Sequence, residues 1–179
     1  MLFRSAIAAF ERAAVLVPQA NGNTNPNAAI AVIALKTGDT ARAIRALEAV
    51  LKVDYTDVEA ARRLVPLLEK QGDTARTLAT YEMIAELDPF DGQAQRRVGL
   101  GALQRRDLLR AMASLRAALA AKPADMSGAH VDLGEAYFAA GRTDDAKQQV
   151  LAALEIAPTF ERAQDLLLKI VDARPAVTP

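Results

Sequence analysis

A nine-residue phrase is written twice in this chain, as "KTGDTARAI" from Lys36 and as "KQGDTARTL" from Lys70, 34 residues later, with six of nine letters the same. Repetition at that interval constrains the fold more than any other feature of the sequence. Gly38 and Gly72 each close an apolar-periodic segment, and a glycine there takes the left-handed conformation that ends a helix without a Cβ clash. Asp39-Thr40 and Asp73-Thr74 then offer side-chain oxygens to the free N–H groups of a following helix. Each copy is therefore the corner of a helical hairpin, and hairpins recurring at a fixed period imply a stack of them.

The residues around the fourth corner carry the fullest pattern: His130, Leu133, Gly134 and Tyr137, then Gly141, Ala146, Val150, Ala153 and Pro158. This resembles the tetratricopeptide repeat, whose slots for a large residue, leucine, glycine, tyrosine, alanine, aromatic, alanine and proline fall at these intervals. His130 stands where the family prefers tryptophan, and Val150 where it prefers an aromatic. Small residues at Gly134, Ala146 and Ala153 let helix backbones approach, and Leu133 and Tyr137 fill the gaps beside them. The preceding unit aligns through Val98, Gly99, Ala111, Leu115, Ala118 and Pro123, with Ala102 in the tyrosine slot. The one before aligns through Leu64, Val65, Leu68, Gly72, Tyr81 and Pro89, with Thr77 and Ile84 in place of the two alanines. An earlier unit shows Ile30, Ala31, Gly38, Ala43 and Leu47, with Tyr55 in the proline slot.

The resemblance implies an all-α fold, a right-handed superhelical solenoid of antiparallel helix hairpins with about ten helices. A single array is expected over 1–179, with repeats at 24–57, 58–91, 92–125 and 127–160. Residues 6–20 read as the second helix of a truncated repeat, 161–173 as a capping helix and 174–179 as a tail. "MLFRSAIAAF" is not a secretory signal, since Glu11 and Arg12 follow at once, and Ile7, Phe10, Ala14 and Val17 recur at helical spacing. "QANGNTNP" reads as a longer loop between repeats. The half-repeat start points to a fragment of a larger protein, and the Ala- and Arg-rich composition to a bacterial one.

In proteins of this family the first helix of each hairpin lines a concave groove that grips an extended peptide or a partner helix. By that resemblance the groove is lined by Arg62, Arg63 and Glu69, by Gln93, Arg96, Leu100 and Leu103, and by Val131, Glu135 and Phe138. Chaperone-binding members clamp a carboxylate with a lysine and an asparagine one turn apart. The corresponding pairs are Ala28 with Val32, Arg62 with Pro66, Arg96 with Leu100, and Val131 with Glu135, so that clamp is absent. Arg62 and Arg96 occupy equivalent slots, and in stacked hairpins they could share one carboxylate or phosphate. The competing reading, which is preferred, pairs them with neighbours such as Glu59. Pro66, inside a first helix, removes one backbone donor and is expected to bend it.

Residues 92–125 hold seven basic and two acidic side chains, whereas 58–91 hold four and seven, and 126–160 two and five. This alternation predicts ion pairs across repeat interfaces. Nucleic-acid binding by Arg96, Arg97, Arg105, Arg106, Arg110 and Arg116 is disfavoured, because no aromatics are interleaved and the formal net charge is zero. Without cysteine and with one histidine, His130, no thiolate or histidine cluster is available for a metal, and no triad, Gly-rich phosphate loop or cofactor motif is present. His130 fills a packing slot. The expectation is a non-enzymatic scaffold without cofactor, binding a protein or peptide and no nucleic acid. The alternative is the C-terminal repeat tail of a larger bacterial protein, a metallopeptidase or a secretion or assembly factor. No apolar run approaches the ~20 residues of a membrane-spanning helix. The cytoplasm is the slightly favoured compartment, and the periplasm stays open if a parent protein carries a signal.

Overall fold

The computed structural model describes residues 2–173. The tail expected over 174–179 lies outside them. Among the described residues are ten α-helices, one short 3-10 turn and no strand. The chain divides between Leu87 and Asp88 into two compact units.

The first unit comprises α1 (Leu2–Leu16), the 3-10 turn Gly22–Thr24, α2 (Pro26–Thr37), α3 (Thr40–Val53), α4 (Val58–Gln71) and α5 (Thr74–Leu87). α1 occupies Leu2–Leu16 rather than 6–20; it stops ahead of Pro18, whose ring disfavours helical backbone in the residue before it. α2 packs on α3 and α4 on α5, as two hairpins, and α1 lies against α2. The core is formed by Ile30, Ala31 and Ala34 of α2, Ala43, Leu47 and Val50 of α3, Ala61, Leu64 and Leu68 of α4, and Tyr81 and Ile84 of α5. α4 runs as one helix through Pro66.

The second unit comprises α6 (Gly92–Gln104), α7 (Leu108–Ala120), α8 (Met126–Ala139), α9 (Thr143–Ile156) and α10 (Glu161–Asp172). α6 pairs with α7 and α8 with α9, and α10 packs on α8 and α9, where Ala163, Leu166 and Ile170 cover the last hairpin. At Gly99 an added Cβ would stand 2.6 Å from Leu115 Cγ; at Gly134 the nearest atom, Val150 Cγ2, is 3.3 Å away. Both glycines of this slot therefore sit at close approaches, the one at Gly99 being the tighter.

The corners form as their residues dictate. Gly38, Gly72 and Gly141 hold φ of 72°, 73° and 72°. The N–H of the next residue then reaches back to the helix, as Asp39 to Ala34 O at 2.9 Å and Asp73 to Leu68 O at 3.1 Å. Asp39 and Asp73 cap α3 and α5, each accepting at 3.0 Å from the N–H three residues on. Asp57, Asp91 and Asp125 do the same for α4, α6 and α8, at 2.9, 2.9 and 2.8 Å.

Candidate functional site

The first helices of the hairpins, α2 and α4 in one unit and α6 and α8 in the other, carry the residues expected to meet a partner. In the first unit an open cleft of about 560 Å³ is lined by Phe10, Ala28, Val32, Glu59, Ala60 and Arg63 among others. Its room comes from α2, where Ala28 and Ala29 stand one repeat before Arg62 and Arg63. Arg63 lies in the lining, whereas Arg62 donates from Nη1 to Glu59 Oε1 at 3.0 Å. Glu69 accepts from the hydroxyl of Tyr81 at 3.2 Å, a bond inside its own hairpin.

In the second unit the expected residues separate into different environments. Val131 is a correction: its side chain is 0% exposed within the apolar core and lines no groove. It shares α8 with Gly128, Ala129, Leu133 and Gly134, all buried and spread round the helix, so α8 is covered on nearly every side. Leu100, Leu103 and Phe138 are half-buried and pack against the same core. Gln93 is exposed and, with Phe90, Arg96, Pro123 and Asp125, lines a second open cleft of about 470 Å³.

Arg96 and Glu135 belong to one ion network. Arg96 Nε donates to Asp132 Oδ2 at 2.6 Å, and its Nη1 reaches Asp125 Oδ2 at 3.3 Å. Arg162 of α10 grips Glu135 with two bonds, Nε to Oε1 at 3.1 Å and Nη2 to Oε2 at 2.8 Å. The same Nη2 stands 2.7 Å from Asp132 Oδ1, close enough for an ion pair though out of line for a hydrogen bond. Burial alone would lower the Arg162 pKa; the hydrogen bonds to Glu135 and the close negative charge of Asp132 outweigh it and hold the guanidinium above its ordinary value. The network joins α6, α8 and α10, and it answers the expectation of ion pairs between repeats. It also engages Arg96 with Asp132 and Asp125, as Glu59 engages Arg62.

Asp132 and Arg162 were not singled out in the sequence. The available signal was an acid inside the apolar stretch "AHVDLGEAY", flanked by Val131 and Leu133. An ionised group in such a place demands a cation. His130 occupies its packing slot, with Nδ1 2.9 Å from Gln149 Oε1. Among the described residues no group of acids and histidines is arranged to hold a metal ion, and no helix is long and apolar enough to cross a membrane.

Profiles of the Tetratricopeptide repeat family match residues 28–92, 63–126 and 102–170. The chain belongs to the tetratricopeptide repeat family. It is an all-α helical repeat solenoid. No curated protein matches it. Among solved structures it is similar to the MamA protein, at 24% identity over 82% of this chain and 79% of that one, with a TM-score of 0.65. It is also similar to YrrB, described as a TPR protein with an unusual peptide-binding site, at 17% identity over 91% and 82%, with a TM-score of 0.61. The first TPR of Spaghetti (RPAP3), bound to the HSP90 peptide SRMEEVD, aligns at 21% identity over 67% and 94%, with a TM-score of 0.56. These likenesses are of fold.

Proposed function

We propose that this tetratricopeptide repeat chain is an interaction module that holds a peptide or a partner protein on its first-helix faces. The observation that carries the reading is the open cleft of about 560 Å³ in the first unit, lined by Phe10 of α1, Ala28 and Val32 of α2, and Glu59, Ala60 and Arg63 of α4 among others. Its small apolar lining residues leave room for a partner's side chain, and Arg63 and Glu59 give polar groups to orient it. Peptide binding by YrrB and by the RPAP3 repeat supports a partner of this kind. Each unit is taken by itself: Arg63 in the first, and Gln93 and Phe138 in the second, are the residues proposed to meet a partner, while Arg62, Glu69, Arg96 and Glu135 hold the scaffold. Repeat boundaries at 24–57, 58–91, 92–125 and 127–160 are proposed with it. A second reading makes the array the C-terminal repeat tail of a larger bacterial protein, a metallopeptidase or a secretion or assembly factor. Phe3 and Phe10, two turns apart on one face of α1 and both exposed, support it by offering an apolar surface on which a further element would pack.

Selection of displayed peptides against the immobilised chain, followed by fluorescence anisotropy with the peptides recovered, tests the proposal. Ala28→Trp fills the cleft and should abolish binding of the selected peptides while leaving helix content unchanged. Recovery of no binding peptide, or binding indifferent to Ala28→Trp, would count against the first-helix face as the site.

A further inference from the structure

The four asparagines of the chain fall within seven residues, Asn21-Gly22-Asn23-Thr24-Asn25-Pro26-Asn27, between α1 and the start of α2. An asparagine is an internal electrophile. The backbone nitrogen of the next residue attacks its side-chain carbonyl carbon and closes a five-membered imide, provided that this nitrogen is free and uncrowded. The structure separates the four on that criterion. The N–H after Asn23 is that of Thr24 and is bonded to Asn21 O at 3.2 Å; the N–H after Asn27 is that of Ala28 and is bonded to Asn25 O at 3.1 Å. Asn25 is followed by Pro26, which has no N–H.

Asn21 differs. The N–H after it, on Gly22, has no hydrogen bond among the described residues. Gly22 carries no Cβ to hinder the approach, and its φ of 53° suits glycine alone. Asn21 itself is exposed and extended, at φ −122° and ψ 170°, and its side chain caps nothing.

We propose that Asn21-Gly22 is a self-modification site, at which the chain deamidates without an enzyme and gains a carboxylate beside the cleft of the first unit. The Gly22 nitrogen gives its proton to solvent hydroxide and bonds to Asn21 Cγ. The Cγ–Nδ2 bond breaks, and Nδ2 leaves as ammonia with a proton from water. Water then opens the imide. Cleavage of the bond from Cγ to nitrogen leaves aspartate at residue 21; cleavage of the bond from the α-carbonyl carbon leaves isoaspartate, with a main chain one carbon longer. No atom changes oxidation state, and either product adds one negative charge. Position gives the change its reach. Gly22 belongs to the lining of the cleft of about 560 Å³, and its carbonyl accepts from the N–H of Asn25, the cap of α2, at 3.1 Å. The new carboxylate arises next to a lining that already holds Asp57 and Glu59, so ageing turns the cleft against acidic peptides. This last consequence rests on the function proposed above, whereas the modification does not.

The test incubates the full chain at mildly alkaline pH beside a synthetic peptide of residues 13–36. Mass spectrometry with fragmentation locates each exchange of an amide for a carboxylate. Residue 21 should convert well ahead of 23, 25 and 27, at a rate that rises with hydroxide and stays within about tenfold of the peptide's, because no bond must open first. Asn21→Gln, whose ring would have six members, should end the conversion on that timescale, and Gly22→Ala should slow it by about tenfold or more. Conversion slower than that in the folded chain, or centred on another asparagine, would overturn the site. Aged chain, separated by its added charge on anion exchange, should bind the acidic peptides among those selected above about threefold more weakly than fresh chain, as one exposed charge can do. Equal binding would leave the modification standing and overturn its bearing on the cleft. Failure to select any peptide would strike the function proposed above and leave the mass-spectrometric result to decide the site.

Discussion

Arg96 on α6 and Asp132 on α8 meet at 2.6 Å, Nε to Oδ2, with the carboxylate 1% exposed. A buried carboxylate is tolerated when cations compensate it, and here Arg162 from α10 supplies the second, at 2.7 Å. The interface between successive first helices therefore rests on charge as well as on apolar fit. Replacing Arg96 by methionine keeps the volume and removes one cation, which should cost the second unit about 3 kcal/mol. Replacing Asp132 by leucine in the same chain leaves no orphaned charge, so Arg96→Met/Asp132→Leu should be the more stable of the two. Urea denaturation of wild type and both variants checks this order; a double variant no better than the single would refute charge compensation as the cause.

Gly99 and Gly134 fill equivalent slots, yet their surroundings differ. A methyl group at residue 99 would meet Leu115 Cγ at 2.6 Å and Leu115 N at 3.1 Å, so both a side chain and a backbone must shift. Gly99→Ala should destabilise by about 2 kcal/mol, the usual cost of overpacking. At residue 134 the nearest atoms lie at 3.3 to 3.5 Å, and alanine's better helix propensity, worth about 1 kcal/mol, offsets the crowding. Gly134→Ala should be nearly neutral. Parallel thermal denaturation of the two variants compares them directly.

The fold was legible because its determinants are local and repeated: Gly38 and Gly72 end helices, Asp39 and Asp73 start them, and the period carries the rest. The site was less legible, for a physical reason. Slot matching assigns one exposed face to each first helix, but α8 is covered on nearly every side by its neighbours. Val131 was placed in the groove by its slot and is fully buried. Asp132, its neighbour, has no apolar slot to match and is the centre of the ion network. Partner choice by an arginine is no more visible in sequence, since Glu59 is three residues from Arg62 but Asp132 is 36 from Arg96.

Asp73 should make the first unit's stability depend on pH in the acid range. Its pKa is lowered, first by the backbone N–H of Arg76 and next by the Arg76 side chain, whose Nε donates to Oδ2 at 2.7 Å. A folded-state pKa below the unfolded one gives stability that is present above the ordinary aspartate value and lost as pH falls through the folded value. The gap in stability between wild type and Asp73→Asn should thus be full at neutral pH and close on acidification. Carboxyl carbon shifts followed by NMR should place the Asp73 midpoint below the ordinary 3.8, and a midpoint at or above it would remove the linkage.

Asp91 and Asp125 begin α6 and α8 with the same cap, accepting from the third N–H at 2.9 and 2.8 Å. Asp125 has a second role, because its Oδ2 lies 3.3 Å from Arg96 Nη1. Asp91→Ala removes a cap alone and should cost about 1 kcal/mol. Asp91→Asn keeps a side-chain acceptor and should cost a few tenths. At residue 125 asparagine restores the cap without the charge, so the difference between Asp125→Asn and wild type isolates the exposed pair with Arg96, expected at about 0.5 kcal/mol. That increment should shrink in high salt, whereas the loss in Asp91→Ala should not, because a cap is a hydrogen bond inside one turn and a half-exposed ion pair is screened. Urea titrations of the four chains at low and high salt separate the two contributions, and a salt-independent Asp125→Asn effect would show that Arg96 is held by Asp132 alone.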